Sequence, residues 1–168
     1  DILNPSATSK WVFRRKSGLI ANTGIELFNE FVTTADGDTY RGTHHTLAGN
    51  ILTRNGWKAG LGLAYKEDVV VSGFTLPTGE SVDPGTYHGP AYKAFIQSPS
   101  RRNPNFGLEY EFDQGFYGGV AHRMGVKASA YETAHLRISA NVASTWFKRP
   151  DDEGWTHTLT VNSGITLA

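Results

Sequence analysis

A chain of 168 residues has room for one domain with a sizeable interior, and its sixteen basic and sixteen acidic residues leave no net charge with which to hold a nucleic acid by bulk electrostatics. The absence of Cys excludes disulfide frameworks, Cys-based zinc sites and thiol catalysis. Nineteen Gly, 12% aromatic residues and a single Met favour strands and tight turns over helices. No apolar run approaches the ~18–20 residues of a membrane helix. With no signal peptide at Asp1, a cytosolic protein or a processed mature form is expected. A strand-built membrane protein passes the same filter, because its apolar residues alternate instead of running together.

Taken in chain order, Lys10 to Lys16 reads as an arm or a short extra strand, ended by Lys16-Ser17-Gly18. Leu19–Thr34 and Thr39–Thr53 follow, joined by the acidic turn Ala35–Asp38. In Arg54-Asn55-Gly56 the Asn-Gly pair predicts a type I′ hairpin, which needs positive φ at both central residues. Trp57–Asp68 is the clearest strand: Trp57, Ala59, Leu61, Leu63 and Tyr65 share one face, and Lys58, Gly60, Gly62, Ala64, Lys66 and Asp68 the other. A long loop, Ser72–Gly85, precedes a strand at Thr86–Ser98 and a turn at Pro99–Pro104. Phe106, Leu108, Tyr110 and Phe112 then alternate with Gly107, Glu109, Glu111 and Asp113, up to a turn at Gln114-Gly115. Phe116–Ser129, a turn at Ala130–Ala134, Leu136–Trp146, an acidic loop at Lys148–Gly154 and Trp155–Leu167 complete the series.

These segments predict an all-β fold. Residues 1–18 form the arm or extra strand, and 19–168 an antiparallel up-and-down β-barrel of about eight strands. Adding Lys10–Lys16 makes nine, with the first and last running parallel, as in a piece of a larger barrel. Alternate turns are mostly short on one side and longer on the other, the asymmetry of a membrane barrel.

Which face meets the interior decides the class. Gly60, Gly62, Gly107, Gly119, Gly125 and Gly164 fall on the charged face, where a water-exposed surface gains nothing from Gly and a narrow lumen gains room for long side chains. Trp57, Tyr65, Trp146 and Trp155 sit at the ends of apolar faces, as in the aromatic girdles of a bilayer-spanning barrel. The leading expectation is therefore a channel in the bacterial outer membrane, in contact with the lipid bilayer and passing small anionic or sugar solutes. The inward residues Lys58, Lys66, Lys93, Arg123, Lys127 and Arg137 would line the pore, with Glu109 and Glu111 among the carboxylates facing them. Across the Gln114-Gly115 hairpin, Glu109 is expected diagonal to Arg123. Two rivals remain open: a soluble barrel, carrier or cyclase, with Leu61, Leu63, Leu108, Tyr110, Ile138 and Val142 lining a cavity for an apolar ligand, and a filled structural barrel.

Neighbouring strand residues point to opposite faces, so His44 and His45 cannot share one metal ion without a bulge, and no cofactor is expected. A Ser–His hydrolase site needs a Ser and a His on facing positions; His122, His135 and His157 are available, but no motif selects a partner.

Several strands resemble the oligogalacturonate-specific porin family, which includes sialic-acid porins. The resemblance runs through Gly24-Ile25-Glu26-Leu27-Phe28-Asn29-Glu30, Arg54-Asn55-Gly56-Trp57 with Gly60-Leu61-Gly62-Leu63, Gly89–Phe95 leading to Asn105–Phe112, and Trp155-Thr156-His157-Thr158-Leu159. It implies a monomeric outer-membrane channel for acidic oligosaccharides, lined by Arg and Lys tracks. Those porins have twelve strands and a terminal aromatic signal, whereas eight or nine strands are counted here and the sequence closes Thr166-Leu167-Ala168.

Overall fold

The computed structural model describes residues 2–34, 40–77, 79–99, 101–131 and 136–167. The turn expected at Ala35–Asp38, most of that at Ala130–Ala134, and His135 lie outside the described residues. The strands are β1 (Ile2–Leu3), β2 (Ser6–Arg14), β3 (Ile20–Thr34), β4 (Tyr40–Thr53), β5 (Lys58–Val70), β6 (Phe74–Thr75), β7 (Ser81–Val82), β8 (Gly85–Gln97), β9 (Asn105–Phe116), β10 (Gly119–Tyr131), β11 (Leu136–Lys148) and β12 (Thr156–Leu167). Every pairing is antiparallel between chain neighbours, except that β1 and β2 both lie along β3 and β6–β7 form a separate hairpin within the long loop. Asn4-Pro5 divides β1 from β2, because Pro5 has no N–H for the ladder; its carbonyl still accepts the Phe31 N–H at 3.0 Å.

β1 and β2 thus count as one edge strand, and the main sheet is an up-and-down meander of nine positions. It does not close into a barrel, and the expected count of about eight is too low. The physical reason is parity. With nine positions joined antiparallel, β2 and β12 run in the same direction, so only a parallel seam could join them, and none forms among the described residues.

Two hairpins differ from expectation. At Arg54-Asn55-Gly56, only Gly56 takes positive φ (90°), and its N–H bonds to the Thr53 carbonyl at 3.0 Å. The result is a three-residue loop closed by a left-handed Gly, with the Thr53 hydroxyl on Asn55 Oδ1 at 2.5 Å, instead of a type I′ turn. The pair with positive φ at both positions is Tyr117-Gly118 (45° and 80°), so β9 runs on through Gln114-Gly115 and turns three residues later than expected. The sequence hides this because Tyr rarely adopts positive φ. A register shift between Gly119 and Ala121 takes up the irregularity.

Burial is inverted relative to a water-soluble sheet. Leu61, Leu63, Leu108 and Val126 are exposed along one face, whereas Lys66, Glu111 and Asp113 on the other are half-buried or buried. Lys66 on β5 reaches past β8 to Glu111 and Asp113 on β9, so the sheet curls towards its polar side. Among the described residues the buried hydrophobic ones are Leu76, Val82, Ala91, Ala121 and Phe147, too few for a conventional two-layer core. Most of them belong to one cluster. The β6–β7 hairpin folds inwards, and Leu76 and Val82 pack on Ala121 and Phe147, flanked by Val70, Tyr87, Phe116 and Tyr117. Thr156 donates its hydroxyl to Glu80 at 2.9 Å and Arg149 donates to the Ser81 carbonyl, so the loop after β5 reaches across to the strands at the far edge.

Candidate functional site: the concave face

Cross-strand register places the expected pore-lining residues on the concave face. One row runs Lys10, Glu26, Ala48, Gly62, Lys93, Glu111, Arg123 and Thr145; a second runs Asn50, Gly60, Phe95, Glu109 and Gly125; a third joins Lys58, Gln97, Gly107, Lys127, Asn141 and Asn162. Lys66 opposes His44 and Gly89 on the same face, and Arg137 lies two residues beyond Ser139.

These residues separate into two groups. Towards the long-loop end, Lys66 Nζ donates to Glu111 at 2.6 Å and to Asp113 at 3.1 Å. Arg123 lies 3.1 Å from Glu111 and 3.8 Å from Asp113 while stacking over Phe116 at 4.3 Å. Two cations meet two carboxylates. Asp113 is nearly buried, at 4% side-chain exposure, and also accepts the Gly115 N–H at 3.2 Å. The folded-in loop seats directly beside this cluster, since Ala121 and Phe147 belong to Asp113's own cross-strand row.

Towards the short-turn end the balance changes. Lys127 and Lys93 approach Glu109 at 3.4 and 4.0 Å, so two lysines share one carboxylate. Glu109 lies diagonal to Arg123 as expected, since it opposes Gly125, but its ion pairs go to the lysines and Arg123 pairs with Glu111. Lys58 sits over the Phe95 ring at 5.5 Å, and Arg137 donates to the Ser129 hydroxyl at 3.2 Å. The Phe95 ring lies against Gly60, where an added Cβ would meet it at 2.5 Å, so the missing side chain makes room for the ring. Lys93, Phe95, Glu109, Lys127 and Arg137 border a hollow of about 650 Å³ with Gln97, Asn105, Asn141 and Asn162, and Lys58 lies outside its lining. Asn141 Oδ1 is buried without a hydrogen-bond partner among the described residues.

The two adjacent histidines separate as the alternation demands. His44 turns to the concave face between Glu30 (3.3 Å) and Asp68 (3.4 Å), whereas His45 bonds to Asn29 at 2.9 Å on the convex face. Among the described residues no group of His, Asp or Glu is arranged to hold a metal ion. The six residues assigned to an apolar cavity in a soluble barrel, Leu61, Leu63, Leu108, Tyr110, Ile138 and Val142, all lie exposed on the convex face.

Sequence reasoning missed the part played by Ser72–Gly85 as an inward cover. Its signal was the apolar set Phe74, Leu76 and Val82 in a stretch otherwise read as solvent loop. It also missed Phe95, whose placement on the polar face runs against the alternation. No family model, curated protein or solved structure matches the chain.

Proposed function

We propose that this sheet is part of the wall of a bacterial outer-membrane β-barrel that passes small hydrophilic, anionic solutes such as acidic oligosaccharides. The observation that carries the proposal is the inverted burial, with an exposed apolar band on the convex side and a charged concave side. A soluble protein exposing so broad a contiguous apolar face would aggregate, whereas a bilayer solvates it. Strands of 12 to 15 residues from β3 to β12 in the main sheet exceed the ~9–11 needed to span. The eight residue steps from Trp57 to Tyr65 cover about 26 Å along the strand, or about 20 Å once tilted by about 40°, near the ~25 Å apolar band of such barrels. Closure requires an even count, so an odd number of further antiparallel strands completes the ring.

Anion preference follows from the open end of the concave face, where Lys93 and Lys127 share the single carboxylate of Glu109 at the hollow. The resemblance to acidic-oligosaccharide porins points the same way. A lipid bilayer and anionic sugars are the partners this reading assigns. A second reading, a filled wall that conducts nothing, draws on the folded-in loop and the matched Lys66, Arg123, Glu111 and Asp113 cluster.

Single-channel recording across a salt gradient in a planar bilayer separates the two. Discrete steps with an anion-favouring reversal potential support the channel. Silence from protein shown to be folded and inserted favours the filled wall. Protein that stays in water without detergent rejects both.

A further inference from the structure

We propose that Ser144 and His157 form a nucleophile and base pair that hydrolyses acyl esters of the surrounding lipid, an inference that rests on the convex face meeting a bilayer. Ser144 on β11 opposes Leu159, one diagonal step from His157 on β12, and its Oγ lies 2.6 Å from His157 Nε2. With the ring proton on Nδ1, Nε2 accepts the Ser144 hydroxyl, the geometry in which an imidazole activates a serine.

Three features set this pair apart from a hydroxyl that has merely found an acceptor. First, Ser144 is 8% exposed and His157 is exposed on a face whose neighbours are exposed apolar side chains, so the pair forms a small polar island with the serine sheltered and the imidazole at the surface. Second, the Trp146 ring stacks on His157 at 5.1 Å and 23°, which restricts the imidazole plane. Third, Trp146 also lines a hollow of about 350 Å³ with Tyr110, His122 and Trp155. Within it His122 bonds to the Tyr110 hydroxyl at 2.6 Å and meets Trp155 edge-on at 5.1 Å. Aromatic side chains of this kind sit at the headgroup boundary, the depth at which the ester carbonyls of a glycerolipid lie. The hollow gives the first carbons of an acyl chain an apolar seat against Trp146, the ring that stacks on His157.

The chemistry balances without a cofactor. Ser144 Oγ attacks the ester carbonyl carbon while His157 Nε2 takes the hydroxyl proton. The bond to the lipid alcohol breaks, and that alcohol leaves with the proton from the imidazolium. Water then repeats the sequence on the acyl-serine, releasing a fatty acid and restoring both side chains.

The test uses the full chain folded in detergent, with folding judged by heat-modifiable migration. It is treated with a fluorophosphonate probe and, separately, mixed with phosphatidylethanolamine and phosphatidylglycerol micelles while free fatty acid is measured. The parent should be labelled on Ser144 and release fatty acid. Ser144→Ala should do neither, and His157→Gln, as an independent probe of the same pair, should lower both rates by about 10²–10⁴-fold. Folded parent that is neither labelled nor faster than Ser144→Ala overturns this proposal and leaves the channel reading standing. Protein that remains in water without detergent overturns the lipid substrate together with the membrane reading.

Discussion

The two ends of the concave face are built from the same strands and the same residue types, yet they solve opposite problems. At the long-loop end, Lys66 and Arg123 meet Glu111 and Asp113 at matched charge, side-chain exposure falls to 22% and 4% on the carboxylates, and a hairpin folds in beside them. At the short-turn end, Lys93 and Lys127 remain 52% and 60% exposed around a single carboxylate that is itself 40% exposed. Burial explains the difference. A charge withdrawn from water must be paired and hydrogen-bonded, whereas one left in water can stay in excess and act on a solute. The covered end is therefore where ion pairs govern stability, and the open end is where charge governs selectivity.

Asp113→Ala should break this comparison most severely. It strips one carboxylate from beneath two partly buried cations and should cost about 3 kcal/mol, read as a lower urea midpoint for the detergent-folded protein. A loss under about 1 kcal/mol would mean that the covered end behaves like the open one. Val82→Ala comes next. Val82 is 1% exposed against Phe147 and Ala121, and losing two buried carbons should cost about 1.5–2 kcal/mol. That loss falls on the loop's seat, so faster proteolysis within residues 72–84 and a raised conductance are expected while the sheet stays folded.

At the open end the prediction reverses. Lys93→Ala with Lys127→Ala should change unfolding free energy by less than about 1 kcal/mol, because exposed ion pairs contribute little. The same double change should move the reversal potential towards cation preference. A stability loss with unchanged selectivity would reverse the roles assigned to the two ends.

How much of this was legible in the sequence depended on how local the cause was. Period-two alternation, clearest in Trp57–Asp68 and Phe106–Asp113 and weaker in Thr86–Ser98 and Phe116–Ser129, located strands and sorted Lys58, Lys66, Lys93, Arg123, Lys127, Glu109 and Glu111 onto one face, because side-chain direction follows from the backbone pleat alone. Register was less accessible. The turn at Tyr117-Gly118 needs a left-handed Tyr, and that conformation is stabilised by Phe74 at 5.3 Å and Tyr87 at 5.6 Å, residues supplied from elsewhere in the chain. Closure was not local at all, since it depends on whether Ser6–Arg14 joins the sheet, and a segment of mixed polarity does not announce that. Ser144 and His157 meet because β11 and β12 pair in one particular register, which residue spacing alone does not specify.

The smallest effect should come from Tyr117 itself. Its ring packs between Phe116 (4.7 Å), Phe74 and Tyr87, and this burial holds its hydroxyl above the ordinary value of 10.0, with the Asp68 carboxylate adding to the shift. The folded protein therefore holds this proton more tightly than the unfolded chain. The associated stability is fully present below pH 10.0 and is lost as pH rises through the raised folded value. An absorbance titration of tyrosinate near 295 nm should find one tyrosine ionising late, and Tyr117→Phe should remove it. The same variant should shift the alkaline release of the loop, followed by proteolysis, to higher pH, because the buried group that must ionise is gone. If Tyr117 titrates with the exposed tyrosines, the loop does not cover this end of the face in solution, and the contrast between the two ends rests on the ion pairs alone.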